Sequence, residues 1–327
     1  MEKEEKYGKE TEKMDIQKFT AYKQAVVGAV SKAIVGKEET IEMVLNCFLC
    51  SGHVLLEDVP GTGKTMLLRA FAKAIGGSFR RVQFTPDLLP SDLTGINFYN
   101  QKKGEFEFRR GPLFADVVLA DEINRATPRT QSSLLEAMEE RQISVDGESY
   151  PLGDKFLVMA TQNPLESYGT FPLPEAQTDR FFMRLSLGYM TREQELSVLC
   201  RKSTIDILDT IGQVVTEEET AYVRGAYREV RVSEEVQGYL MDLVEKTRTE
   251  QFAVGVSTRG AIALYKGMQA HAALHGRDYA MPEDIRAVAA PILAHRITSG
   301  AGVKKQDAEA RLAMLIEQIP VPLEHVE

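Results

Sequence analysis

The sequence lacks several features that would have assigned it a class at once. It has no run of about 18 uncharged apolar residues, so no membrane span is expected. It has no basic excess: 39 Lys and Arg stand against 48 Asp and Glu, a net charge of −9 with a pI near 5.3. That balance argues against broad attraction to nucleic acid, which rests on clustered Lys and Arg, although a local basic pore stays open. Cysteines number three, and the opening Met1–Lys6 mixes Glu and Lys without an apolar segment. An odd count without a secretion signal points to free thiols and a cytoplasmic location rather than a disulfide framework. No internal repeat is present.

What is present suits a folded chain of two domains, each with its own core: 327 residues, 27% charged and 43% apolar. Residues 1–15 read as a solvated charged tail. Apolar positions Phe19, Tyr22, Val26, Val27, Val30 and Ile34 then predict an amphipathic helix ending near Gly36. A second helix is expected over 38–50. It contains Cys47 and Cys50, whose C-x-x-C spacing invites a redox or metal role; their place in an apolar helical pattern favours packing.

The chain is organised around Asp58-Val59-Pro60-Gly61-Thr62-Gly63-Lys64-Thr65, between the apolar run Val54–Leu56 and a helical pattern starting at Met66. A glycine turn between a strand and a helix can curl its backbone N–H groups around a phosphate, and the helix N-terminus adds partial positive charge. The expected nucleotide-binding set is Val59, Pro60, Gly61, Thr62, Gly63, Lys64, Thr65 and Met66, with Lys64 on the β- and γ-phosphates and Thr65 on Mg²⁺. Asp58 stands where the phosphate-loop pattern usually begins with glycine.

Val117–Ala120 is a continuous apolar run, as in a parallel strand buried on both faces, and ends in Asp121-Glu122. Carboxylates at the C-terminal end of such a strand lie where open α/β sheets bind ligands. Asp121 would hold Mg²⁺, and Glu122 would accept a proton from the attacking water. Phe156–Ala160 predicts a further strand that places Asn163 at its end, where the amide would orient that water. Strands at 79–84 and 182–187 complete five, interleaved with helices: a parallel doubly wound sheet. Two hairpins interrupt the series, one across 98–108 and one around Asp146-Gly147. Thr127 is expected to cap a helix that opens at Pro128. Beyond about Tyr189 the pattern is helical, with Ser233 and Thr258 as expected caps and a kink at Pro291. His271 and His275 have metal-like spacing, but with Ala272 between them and no third ligand visible they read as surface or packing residues.

Taken in order, Val59–Thr65, Gln83–Pro90, Leu119–Ala126, Ala160–Pro164 and Leu173–Phe181 closely resemble the MoxR family of AAA+ ATPases, over residues 20–300. The resemblance implies an AAA+ core over 16–188 with a helical lid over 189–327, hydrolysing ATP with Mg²⁺ between neighbours of a homo-oligomeric, usually hexameric ring. It implies Walker B at Asp121 and Glu122, sensor 1 at Asn163, and an arginine finger at Arg180 reaching the next subunit, with Arg125, Arg129 and Arg184 as alternatives. It also implies sensor 2 at Arg259, touching the γ-phosphate from the lid, and an adenine-contacting segment at Val35-Gly36. Asp58 is a variation seen in the family. The hairpins match the insertions of the helix-2-insert group, which includes the magnesium chelatase ATPase subunit; they would face the pore or a partner, or else pack on the sheet. Such proteins remodel or mature clients, often with a separate von Willebrand factor A domain protein. A nucleotide-controlled scaffold with negligible turnover and a nucleic-acid motor are the competing functions.

Overall fold

A computed structural model describes residues 14–58, 61–162, 169–200, 207–249, 252–298 and 305–321. The chain opens with α1 (Ile16–Ser31) and α2 (Glu38–Leu49). The sheet then begins with β1 (Val54–Glu57), α3 (Lys64–Ala74) and β2 (Phe79–Gln83). A short α4 (Pro90–Thr94) leads into the hairpin β3 (Gly95–Asn100) and β4 (Glu105–Arg110), after which β5 (Val117–Asp121) and α5 (Pro128–Glu140) return to the sheet. The second hairpin, β6 (Gln142–Val145) and β7 (Glu148–Pro151), precedes β8 (Leu157–Gln162), α6 (Glu175–Thr178) and β9 (Met183–Leu185). Among the described residues only helices follow as regular elements: α7 (Arg192–Leu199), α8 (Glu217–Ala226), α9 (Glu234–Lys246), α10 (Thr258–Leu274), α11 (Pro282–Leu293) and α12 (Lys305–Gln318).

The five long-range strands form one parallel sheet in the order β2-β5-β8-β1-β9. Alternate side chains of each strand face opposite sides. Val54, Leu56, Val117, Leu119, Leu157 and Met159 join the cluster of α1–α3, whereas Leu55, Val118, Ala120, Val158 and Ala160 pack with Leu134, Leu135 and Met138 of α5. The first cluster continues without a break into α8–α12. The C-terminal helices therefore share a core with the N-terminal ones, where two separate cores were expected. A neutral histidine stitches the second face: His53 Nε2 lies 3.1 Å from the Met138 carbonyl, and its Nδ1 accepts from Val158 N–H at 3.0 Å. Burial, helped by the nearby Arg141 charge, depresses its pKa from 6.5 to about 3.

Local sequence explains most helix starts, with two corrections. Ser233 accepts from Val236 N–H as expected, but Ser257, not Thr258, caps α10 by accepting from Gly260 N–H at 3.2 Å. Thr127 sits at the cap position of α5 without a capping bond; its hydroxyl instead meets that of Thr130 at 3.3 Å. Helix α11 runs through Pro291. Cys47 and Cys50 are buried, and burial raises both thiols, Cys50 to about 12, which leaves them protonated packing groups. The two hairpins form separate two-stranded sheets that touch each other: Phe108 stacks on Tyr150 at 4.3 Å, and Asn97 donates to Asp146 at 2.7 Å. Asp146 and Gly147 both have positive φ, as the tight two-residue turn requires.

Candidate nucleotide site

The C-terminal ends of β1, β5 and β8 converge on a cavity of about 440 Å³ lined by the glycine turn and the carboxylates after β5. Gly61 and Gly63 have φ of +87° and +92°, a backbone that a side chain would strain, and Gly63 is the N-cap of α3. The first turn of α3 carries no acidic residue, so its own side chains leave the positive end of the helix for an anion. Lys64, Thr65 and Met66 line the cavity with Gly61 and Gly63, and Lys64 Nζ donates to the Asp58 carbonyl at 3.2 Å. Val59 and Pro60 lie outside the described residues. The turn holding Val35 and Gly36 (φ +66°) follows Ile34, whose Cδ1 is 3.4 Å from where a Cβ on Gly63 would stand.

The carboxylate pair is fixed by strand register. Gln83 pairs with Asp121 across β2 and β5, and Ala120 with Ala160 across β5 and β8. Arg81 Nη2 therefore reaches Asp121 Oδ2 at 2.7 Å, and the Thr161 hydroxyl donates to Asp121 Oδ1 at 2.7 Å while accepting from Glu122 N–H at 2.8 Å. Glu122 itself has φ +56°. Its carboxylate accepts from Gln83 Nε2 at 2.8 Å and lies 2.9 Å from Arg125 Nε. Thr65 and Asp121 supply oxygen donors to one cavity, which suits the hard Mg²⁺ ion. Asn163 falls outside the described residues.

Asp58 is buried and does something the bare pattern could not suggest. Its carboxylate accepts from the Ser186 hydroxyl at 2.7 Å, Leu187 N–H at 2.7 Å and Gly188 N–H at 3.0 Å. The phosphate loop is thereby tied to the segment that leaves β9 for the C-terminal helices.

Arg180 and Arg259 are not among the residues lining the cavity of their own chain. They meet each other on Glu139, in the last turn of α5, at 3.1 Å and 2.5 Å. Asp179 joins this group, 3.6 Å from Arg259 and 2.7 Å from Nε of the buried Arg296. Arg259 is thus engaged by Glu139 and Asp179 rather than placed in the lining of its own chain's cavity. Of the other arginines, Arg184 pairs with Glu57 at 3.5 Å and with Glu309.

Sequence reasoning singled out neither Arg81, Gln83, Thr161, Glu139 nor the tether of Asp58. For Arg81, Gln83 and Thr161 a signal existed: polar side chains near the C-terminal end of a strand that borders the one bearing Asp121 and Glu122. Glu139 had none, being one of several carboxylates on an exposed helix face.

Compared with known proteins, residues 53–183 match the model of the ATPase family associated with various cellular activities (AAA), and residues 245–315 match that of the AAA lid domain. The Bacillus subtilis protein YeaC is 47% identical over 298 residues, covering 90% of this chain and 93% of its own. Chaperone MoxR1 of Mycobacterium tuberculosis is 38% identical over 82% of this chain and 73% of its own, and protein MoxR of Paracoccus denitrificans 33% identical over 90% and 94%. The crystal structure of a candidate ATPase from Cytophaga hutchinsonii superposes with a TM-score of 0.85 at 38% identity, covering 94% of this chain and 98% of that one. With an AAA core, an AAA lid and relatives named MoxR matched over most of its length, the chain belongs to the MoxR family of AAA+ ATPases.

Proposed function

We propose that the protein hydrolyses ATP in a homo-oligomeric ring, hexameric by family resemblance, and uses the cycle to remodel or mature a separate client protein. The supporting observation is the division of charged groups: loop, carboxylates and helix N-terminus share one cavity, while Arg180 and Arg259 sit together on Glu139 outside it. Such a half-site gains its arginines from a neighbour. In this reading the backbone at Gly61–Gly63 and Lys64 bind the phosphates, Thr65 and Asp121 hold Mg²⁺, and Val35-Gly36 borders the base. The metal ion would neutralise charge on the phosphates. Glu122 takes a proton from water once its carboxylate leaves Gln83 and Arg125, with Asn163 orienting that water. Arg180 and Arg259 exchange Glu139 for the phosphates of the adjacent chain.

Core and lid are assigned to 16–188 and 189–327, and Asp58 ties the phosphate loop to Leu187 and Gly188, the last residues of the core before the lid. The paired hairpins, with Tyr99 and Phe106 exposed by 52% and 72%, would supply client or partner contacts; a protein with a von Willebrand factor A domain is one such partner. A scaffold with little turnover is the second reading, favoured by the double restraint on Glu122. Phosphate release measured across a protein dilution series separates them. Turnover per chain that rises with concentration and disappears in Glu122→Gln, with ATP binding kept, supports the first; negligible turnover at every concentration supports the second.

A further inference from the structure

Away from the nucleotide cavity, α10 crosses α1 and α2, and four polar side chains meet there. His271 lies in the last turn of α10 and His275 caps its C-terminus, Glu42 comes from α2 and Lys23 from α1. One ligand atom from each of Glu42, His271 and His275 lies within 4.8 Å of the other two. None of the three lines the nucleotide cavity.

The far side of each imidazole fixes its tautomer. His275 Nδ1 is 2.9 Å from the His271 carbonyl oxygen, which can only accept, so Nδ1 carries the proton and Nε2 a lone pair. His271 Nδ1 is 2.6 Å from Oδ1 of the fully buried Asp284, whose carboxylate is held in turn by both Nη atoms of Arg277 and by Met281 N–H. In the neutral ring that pairing puts the proton on Nδ1 and makes Nε2 the lone-pair nitrogen. A carbonyl or carboxylate behind the ring is the arrangement that orients ligating histidines in metal sites.

The near side calls for a cation. His275 Nε2 stands 3.1 Å from Glu42 Oε1, and a lone pair facing a carboxylate oxygen repels it unless positive charge lies alongside. The Lys23 ammonium supplies that charge, 2.9 Å from Glu42 Oε2 and 3.2 Å from His275 Nε2. Protonating His275 instead would set an imidazolium 3.2 Å from an ammonium. Lys23 is a point charge on a flexible stem and can be displaced without unfolding its helix.

We propose that Glu42, His271 and His275 form a binding site for a divalent transition-metal ion of the Zn²⁺ type, with Lys23 taking the ion's place when metal is absent. Two imidazole nitrogens and one carboxylate oxygen suit Zn²⁺ and leave a fourth position for water, whereas Mg²⁺ and Ca²⁺ prefer oxygen alone. The ion ties α2 to the end of the 17-residue α10 and, binding only the folded chain, raises its melting temperature.

The test needs no nucleotide, so its failure leaves the ATPase proposal standing. Full-length protein carrying Cys200→Ser, which removes the exposed thiol, is stripped with chelator and titrated calorimetrically with ZnCl₂. One ion per chain is expected. His275→Gln and Glu42→Gln should each weaken binding about tenfold or more, and Lys23→Ala should tighten it. Co²⁺ titration should give a visible d–d band that His275→Gln abolishes; this side chain is 36% exposed, so the variant should fold. No uptake, uptake indifferent to His275→Gln and Glu42→Gln, or weaker binding in Lys23→Ala would each overturn the proposal.

Discussion

The nucleotide cavity and the Glu139 cluster contain the same kinds of side chain, arginines on carboxylates, and differ in what holds them. In the cavity Asp121 and Glu122 end a central strand, and the neighbouring strands deliver Arg81, Gln83 and Thr161 through backbone register. Around Glu139 the partners come from the ends of three helical segments, with side chains exposed by 33% for Arg180, 50% for Arg259 and 35% for Glu139. Ion pairs so exposed contribute about 1 kcal/mol or less. Groups that must be ready before ATP arrives are thus fixed by the sheet. Groups proposed to serve another chain are held by contacts they can readily exchange.

That contrast can be broken at several points. The largest effect belongs to Arg180→Ala, expected to lower turnover by about 10³ to 10⁵ while leaving nucleotide binding intact; a steady-state assay beside a fluorescent-nucleotide titration checks both. Next comes the tether of the loop. Asp58→Gly restores the residue more usual in phosphate loops, yet should destabilise the chain by about 2–4 kcal/mol, because it leaves Leu187 and Gly188 N–H without their acceptor. Urea unfolding reads this directly.

Acid sensitivity probes the sheet side of the comparison. Folded His53 stays neutral down to about pH 3, whereas the unfolded chain takes up a proton there below about 6.5. Between those values the unfolded state binds more protons, so stability decreases as pH is lowered, by up to about 1.4 kcal/mol per unit from this group. The fall in melting temperature from pH 7 to pH 5 should be larger for the native chain than for His53→Gln. The smallest effect is expected at Glu139→Gln, which should cost under about 1 kcal/mol of stability. Its turnover should stay far above that of Arg180→Ala, since an exposed resting partner is lost rather than a group used in the reaction.

The centre of the sheet was largely legible in the sequence because β1, β5 and β8 are apolar runs buried on both faces, such as Val117–Ala120. The Asp146-Gly147 hairpin was legible because few residue pairs adopt positive φ twice. Short α4 was not: five residues opened by Pro90 carry no periodicity. The contacts that tune the site escaped for a different reason. Gln83 meets Glu122 only through the pairing of β2 with β5, Asp58 meets Ser186 across 128 residues, and Glu42 joins His271 and His275 only through a helix crossing. Residue type announces a phosphate loop, but partnership is set by topology.

The most direct test of a shared site is to mix two inactive forms. Glu122→Gln keeps the arginine and loses the base, and Arg180→Ala keeps the base and loses the arginine. In a randomly mixed ring, roughly a quarter of the head-to-tail interfaces join an intact base to an intact arginine. Turnover should therefore reappear on mixing, up to roughly a quarter of the native rate, although neither form is active alone. A mixture in which subunit exchange is demonstrated but turnover stays at the level of its components would contradict the account.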